Sequence, residues 1–421
     1  MCITKKPKLC VQHYNSKQIN KKIIMIYSIL DTDLYKFTMS NAYYQLYRDA
    51  EGTFTFNDRN KEVYDEKFLE MLQLEFAKLC SLKMTIEEYM YVSQIRFLST
   101  NYTEWLKNFQ FEFDKIKSWL DDNGHLHIEV TDKMYKVTLY EVPILATVAE
   151  CRNKWLGVTI NHEKVIEILD KKIDFANEHQ LYFSEFGTRR RASAASHEII
   201  VKRLKERCPI YCVGTSNVYF AMKYGMMPSG TCAHEWIMFH AGIGGFKTAN
   251  LTALNDWIKV YQGDLGISLI DTYTTASYLH TLTLKQAKLL DGFRQDSGDE
   301  YHIGNMIIDK LKEMRIDPTS KTIVFSNALT FDKYADIARY FKGRIKVAAG
   351  IGTNLTCDLG IEGYKPANIV MKLSKCRYSP RDFWEYVIKI SDDLGKHMGN
   401  QELFDIAAKE LHFEELGVKL S

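Results

Sequence analysis

The sequence predicts an α/β protein: an irregular TIM-like α/β barrel of parallel strands, with a second α+β sandwich module built from both chain ends. Three observations predict it. Short apolar runs recur between residues 181 and 376, each ending in a polar or glycine-bearing motif, with amphipathic stretches between them. Strand, polar loop and helix in alternation is the pattern of a parallel sheet covered by helices. About eight such units follow one another, the number that closes a barrel whose active site lies at the strands' carboxyl ends. The flanks lack the alternation: residues 31 to about 150 mix long helical patterns with strand-like runs, and WEYVIKISDD with a polar tail follows residue 376. The predicted division is therefore 1–24 as a mobile extension, 25–150 together with 377–421 as the sandwich module, and 151–376 as the barrel.

In chain order, the first 30 residues carry six lysines and no acid, and the apolar run from Ile23 to Leu30 meets Asp31 and Asp33. That run is too short to span a bilayer and lacks a small-residue cleavage site, so it predicts an entering strand or staple rather than a leader. Tyr35, Met39, Ala42, Tyr43 and Leu46 recur at helical spacing, with Thr32 or Asp33 as the cap. On pattern alone Tyr35 is a core residue. Helical patterns follow over 61–78 and 85–98, and strand-like runs over 52–57, 126–131 and 134–142. The barrel strands are predicted in LYFSEFGTRR (181–190), PIYCVGTSN (209–217), PSGTCAHEW (228–236), ISLIDTYT (267–274), LLDGFRQDSGD (289–299), KTIVFSNA (321–328), RIKVAAGIGT (344–353) and ANIVMKLSKC (367–376).

Composition excludes several classes. Hydrophobic residues make up 46% and charged residues 26%, ordinary globular values, and a net charge of +2 creates no global field for nucleic acid or a membrane surface. Nine cysteines contain no CxxC pair and no zinc spacing, which predicts free thiols and a cytoplasmic setting.

The chemistry collects at the predicted strand ends. Gly350, Gly352 and Thr353 follow a buried strand near the seventh position, where glycine lets backbone N–H groups approach a phosphate, and Ser326 and Asn327 on the preceding unit add hydrogen-bonding groups. Arg294, Asp296 and Asp299 surround a tight turn; the arginine can clamp an anion, and the carboxylates can hold ribose hydroxyls or a hydrated Mg²⁺. Three consecutive arginines, 189 to 191, predict anion binding by one or two and solvent exposure of at least one. His234 precedes Glu235, and Asp271 ends the next predicted strand, so a carboxylate can orient the imidazole and leave its other nitrogen nucleophilic.

In order, the motifs DTDLYKFTM, EFGTRRR, VGTSN, GTCAHEW, LIDTYT, RQDSGD, VFSN and GIGTNLTCD resemble the nicotinate phosphoribosyltransferase family over most of residues 28 to 376. The resemblance implies ATP-assisted transfer of phosphoribose from phosphoribosyl pyrophosphate to nicotinate, giving nicotinate mononucleotide for NAD synthesis. It implies that His234 is transiently phosphorylated and that Asp271 supports it. It implies that Arg189, Arg294 and Asp296 bind the base carboxylate and the phosphoribosyl moiety, that Phe186 and Tyr35 sandwich the pyridine ring, and that Ser326, Asn327, Gly350, Gly352 and Thr353 form the phosphate loops. Mg²⁺ is the implied cofactor, with Asp296 and Asp299 its candidate ligands. Relatives that use nicotinamide carry an Asp where this chain has Ser216, a departure that favours nicotinate. The same relatives draw the matching tyrosine from a partner subunit, which leaves monomer and homodimer both open. The alternatives are a nicotinamide phosphoribosyltransferase and a non-catalytic phosphate-binding barrel.

Overall fold

The computed structural model describes residues 24–393 and 399–418; the predicted extension therefore lies almost wholly outside the described residues. Strands β1 (Glu51–Asp58), β2 (Ile116–Leu120) and β3 (Leu126–Lys133) come first. Then follow β4 (Phe183–Glu185), β5 (Cys212–Thr215), β6 (Gln262–Leu265), β7 (Ile267–Leu269), β8 (Gly292–Gln295), β9 (Thr322–Phe325) and β10 (Lys346–Ile351), and finally β11 (Ile369–Arg377) and β12 (Glu385–Tyr386). Two sheets result: a parallel one in the order β5-β4-β10-β9-β8-β7 and an antiparallel one in the order β12-β11-β1-β3-β2.

The parallel sheet holds six strands where eight units were expected. The 228–236 run forms no strand. Its Pro228 makes one parallel bridge with Thr215, and Thr231 Oγ1 donates to the Ile267 carbonyl at 2.8 Å. This extended segment thus lies between β5 and β7, the two end strands of the sheet. Pro228 has no N–H to give a ladder, and Gly230 sits at φ +132°, so the segment cannot pair regularly.

The 367–376 run is a strand but belongs to the other sheet. β11 pairs antiparallel with β1, with Ile369 opposite Asp58 and Arg377 opposite Glu51. A short apolar run looks the same in either sheet, so only pairing decides. This carries Lys372 from the sandwich module into the site described below. The run 134–142, expected as a strand, is helical: Met134–Val137, a 3-10 turn, then Glu141–Trp155. Pro143 lies in the first turn of that long helix, where its missing N–H costs nothing. The described part of the Ile23 to Leu30 run, residues 24–30, forms no strand either; Met25, Ile26, Ile29 and Leu30 are instead buried in the larger core.

One buried ion pair joins the two ends of this architecture. Arg191 Nη1 and Nη2 donate to Asp31 Oδ1 and Oδ2 at 2.7 and 2.8 Å, and Nη2 also donates to the Met25 carbonyl at 2.6 Å. Both side chains are fully buried, so of the three consecutive arginines only Arg189 and Arg190 reach solvent, each in part. Burial alone pushes the Asp31 carboxyl up, but the charge and hydrogen bonds of Arg191 outweigh it and hold it below the ordinary carboxylate range. Removing one partner strands a buried charge. Arg191→Ala is therefore expected to lower the unfolding free energy by about 3–5 kcal/mol in urea titrations. A loss under about 1 kcal/mol would reduce the pair to the value of an exposed one. Because the folded carboxyl is depressed, the pair's stabilisation is present above the ordinary aspartate range and is lost as pH falls through the folded value.

Among the described residues, no helix is long and apolar enough to cross a membrane.

Candidate active site

A pocket opens at the carboxyl ends of β4, β8, β9 and β10, and β11 closes one side of it. Its walls carry an aromatic slot, a set of cations and a buried histidine.

The slot is built from Tyr35 and Phe186. Phe186 follows β4 and its N–H donates to the Ile351 carbonyl at 2.8 Å. Tyr35 lies in the first turn of helix Leu34–Leu46. A Cβ on Gly230 would stand 3.6 Å from Tyr35 Cδ1 and 3.7 Å from Phe186 Cε1, so the two rings flank one point from within one chain. Tyr35, a core residue on pattern alone, is half-buried and faces the pocket. Gly350, Gly352 and Thr353 line the same cavity; a Cβ on Gly352 would come within 3.0 Å of the Phe186 carbonyl, too close for a larger residue without movement.

The cations come from three directions. Arg189 and Arg190 leave the 3-10 turn Thr188–Arg190, and both line the pocket. Burial, with Arg189 and Arg59 nearby, pushes the Arg190 guanidinium down to about 10. Arg294, on β8, is fixed by Nε to Ser326 Oγ at 3.1 Å and by Nη1 to the Cys232 carbonyl at 3.1 Å. Burial pushes the Lys372 ammonium down to about 7; Lys389 and Arg189 add to the shift and Glu141 opposes it. Positive groups that repel one another in a pocket form a site for an anion.

His234 is the first residue of helix His234–Gly244 rather than a strand end. Its Nδ1 lies 2.9 Å from Thr272 Oγ1 and its Nε2 3.1 Å from Asp296 Oδ2. Burial, then Lys389, holds the imidazole well below its ordinary value, and Asp296 only partly offsets them, so the ring is neutral at pH 7. Asp296 is the hub: it also accepts from Ser326 Oγ at 2.9 Å and faces Arg294. Burial opposes its ionisation, but Arg294 and then His234 hold its carboxyl well below the ordinary range.

Asp271 does not orient the histidine as expected. Its Oδ2 accepts from Ser297 Oγ, and its buried Oδ1 has no hydrogen-bond partner among the described residues. Burial, aided by Asp296 and opposed by Lys389, raises its carboxyl. Thr272, one residue on, takes the place at Nδ1, because the chain after β7 turns the Asp271 side chain toward the Ser297 loop. One potential ligand atom from each of His234, Asp271 and Asp296 still lies within 4.8 Å of the others.

Three other expected site residues stand off the pocket wall. Asp299 caps helix Glu300–Glu313, Oδ1 accepting from His302 N at 2.7 Å, and is exposed, so it is no partner for Asp296 in holding a metal. Asn327 Nδ2 lies 3.5 Å from the Gly298 carbonyl. Ser216 is buried and donates to Asp33 Oδ1 at 2.7 Å.

Other residues at the site were not foreseen. Lys36 is wholly buried and bonds both Glu141 and Glu235, two acids that line the pocket. The available signal was a lysine in the first turn of a largely apolar helix. Asp33 and Lys372 carried no such mark.

A model of the "Nicotinate phosphoribosyltransferase (NAPRTase) family" matches residues 181–415, and that of its N-terminal domain matches residues 30–149. Nicotinate phosphoribosyltransferase of Desulforapulum autotrophicum is 37% identical over 380 residues, covering 90% of this chain and 97% of that protein. The enzyme of the same name from Methanosarcina mazei is 36% identical over 403 residues, covering 91% and 97%. The crystal structure of nicotinate phosphoribosyltransferase from Porphyromonas gingivalis superposes with a TM-score of 0.90 at 40% identity, covering 92% of this chain and all of that one. Sequence and fold thus agree along nearly the whole length, and the chain belongs to the nicotinate phosphoribosyltransferase family.

Proposed function

We propose that the protein transfers phosphoribose from phosphoribosyl pyrophosphate to nicotinate, giving nicotinate mononucleotide and pyrophosphate, with ATP hydrolysis coupled through a phosphohistidine at His234. The observation that carries the reading is the pocket itself: an aromatic slot, mutually repelling cations and a neutral, doubly anchored imidazole in one cavity.

Each part has a task. The pyridine ring stacks between Tyr35 and Phe186. Arg189 and Arg190 attract its carboxylate, and Arg294, fixed by Ser326 and Cys232, meets the phosphoribosyl group. As the glycosidic carbon loses pyrophosphate, negative charge grows on the leaving group, and cations already in place stabilise it without reorganising. The neutral His234 attacks the γ-phosphorus of ATP through one ring nitrogen; the N–P bond forms as the bond to the bridging oxygen breaks and ADP leaves, the Asp296 charge stabilises the cationic phosphohistidine, and water then hydrolyses it to phosphate. The donor set also fits Mg²⁺: the unpartnered Asp271 oxygen and Asp296 would hold it together with substrate phosphates, where it would supply charge neutralisation.

Tyr35→Ala is expected to raise the nicotinate KM about tenfold or more, with ATP hydrolysis largely kept, because only the stacking face is lost. Steady-state assays of pyrophosphate release check this. The depressed Lys372 adds a pH signature. Its charge, and with it phosphate affinity, falls as pH rises through about 7. The KM for phosphoribosyl pyrophosphate should therefore rise between pH 6 and 8, and Lys372→Met should flatten that rise.

Pyrophosphate release measured with nicotinate and with nicotinamide, each with and without ATP, tests the whole reading. ATP-stimulated release with nicotinate supports it, equal use of nicotinamide refutes the base assignment, and no release with either leaves a non-catalytic barrel.

A further inference from the structure

Lys36 has the wrong sign for its place in the fold. It lies in the first turn of helix Leu34–Leu46, where the positive end of a helix favours an acid. It is also wholly buried, which is costly for an ammonium unless acids meet it. Two acids do: Nζ donates to Glu141 Oε2 and to Glu235 Oε2. Each acid stands at a helix start of its own, Glu141 as the first residue of Glu141–Trp155 and Glu235 as the second of His234–Gly244. The Thr138 hydroxyl donates to the other Glu235 oxygen, and the Tyr43 phenol donates to the Glu235 carbonyl at 3.3 Å. One ammonium therefore ties three helix starts together, and Tyr35 and His234 are sequence neighbours of the tied residues.

The cluster lies against the base slot, with the lysine on its far side. Glu141 and Glu235 line the cavity, whereas Lys36 stands behind them, its Nζ 5.6 Å from the centre of the Tyr35 ring and 5.4 Å from that of Phe54, two aromatic residues of the same cavity. A pair of acids is the wrong wall for negative ligands, because like charges in a shielded site repel strongly. A neutral residue at position 36 would leave both carboxylates facing the ligand without a counterion. We propose that Lys36 is a positioning residue that admits an anionic base: from behind the wall its ammonium holds Glu141 and Glu235 and cancels part of their field at the slot. This rests on the proposed function, in which the slot takes nicotinate with its negative carboxylate. Burial opposes ionisation of Glu141, but Lys36, then Lys372 and Arg189, hold its carboxyl below the ordinary range. Released from Lys36, Glu141 would turn to those other two cations and take them from the substrates.

The test measures the nicotinate KM of the full chain, with phosphoribosyl pyrophosphate and ATP saturating, in Lys36→Met, in Glu141→Gln and in the neutral triple variant Lys36→Met/Glu141→Gln/Glu235→Gln. Lys36→Met keeps most of the side chain's length and removes its charge. It is expected to raise KM about tenfold, the scale of an uncompensated like charge near a shielded anion. The triple variant removes the acids as well and should return KM to within about threefold of the unmodified value, because a buried charge cluster replaced as a whole is tolerated where a single loss is not. Glu141→Gln, with Lys36 in place, takes only negative charge from the wall and should lower KM about threefold. A merely structural tie gives the opposite sign there, since glutamine holds the ammonium less firmly. Thermal midpoints measured alongside identify a variant that fails to fold, and if Lys36→Met is one, Glu141→Gln and the triple variant decide. An unchanged KM in Lys36→Met, a KM still raised about tenfold or more in the triple variant, or a raised KM in Glu141→Gln overturns the proposal. No turnover of nicotinate by the unmodified protein overturns the functional reading and this inference together, whereas normal turnover with any of those three results overturns this inference alone.

Discussion

His234→Ala is expected to abolish transfer of labelled phosphate from ATP to the protein, and to lower ATP-stimulated turnover by about 1000-fold or more, the scale on which loss of a nucleophile is felt. The phosphate on the unmodified protein should be acid-labile and base-stable, which separates phosphohistidine from a phosphoserine. The geometry gives the reason. The imidazole is buried and neutral, so one nitrogen has a lone pair, and Thr272 and Asp296 hold the ring at both nitrogens. The cations of the pocket are untouched by the substitution, so a slow phosphoribosyl transfer independent of ATP should persist. Undiminished labelling in His234→Ala would assign the phosphate to another residue. Loss of the slow reaction in a folded variant would place the histidine in the ribosyl step itself.

Asp296→Asn is the second large effect, at about 100–1000-fold in ATP-coupled turnover, the size found when a preorganised charge is removed from a transition state. The asparagine keeps the shape but loses the charge that Arg294, Ser326 and His234 share. Asp296 is the one contact that raises the imidazole against burial and Lys389. Without it the phosphorylated, cationic ring loses its counterion. Arg294 also loses its ion-pair partner, so the KM for phosphoribosyl pyrophosphate should shift along with the labelling rate. Rapid-quench measurement of phosphorylation in Asp296→Asn and Asp271→Asn decides between the two acids. If Asp271→Asn blocked labelling and Asp296→Asn did not, the acid that the sequence pointed to would be the orienting one after all.

The two acids show how far the sequence reaches. Strand ends could be counted from apolar runs, and Asp271 and Asp296 both fall on them. Which acid meets His234 depends on where each loop turns after its strand, a matter of one residue: Thr272, not Asp271, reaches Nδ1. Ser216 shows the same limit. Its place at the end of β5 was legible, but its hydroxyl points to Asp33, a residue 183 positions away in sequence. Asp299 read as a ligand candidate because a cap and a metal ligand are the same residue type before a helix.

Local chemistry by itself determined much of this protein. Alternating apolar and polar segments required a parallel α/β core, the strand-end motifs marked Arg189, Arg294, Asp296, His234, Gly350 and Gly352 as one site, and the motif order indicated the family. Those signals survive in one dimension because period, propensity and residue type are local properties. Pairing decided the rest. β11, an apolar run like the others, joined β1 instead of β10, and so brought Lys372 to the pocket. Tyr35 met Phe186 because the start of its helix is strapped to β5, and Lys36 met Glu141 and Glu235 across 105 and 199 positions. Such contacts depend on which buried surfaces and unpaired backbone groups find one another, a choice made among all elements at once and carried by none of them singly.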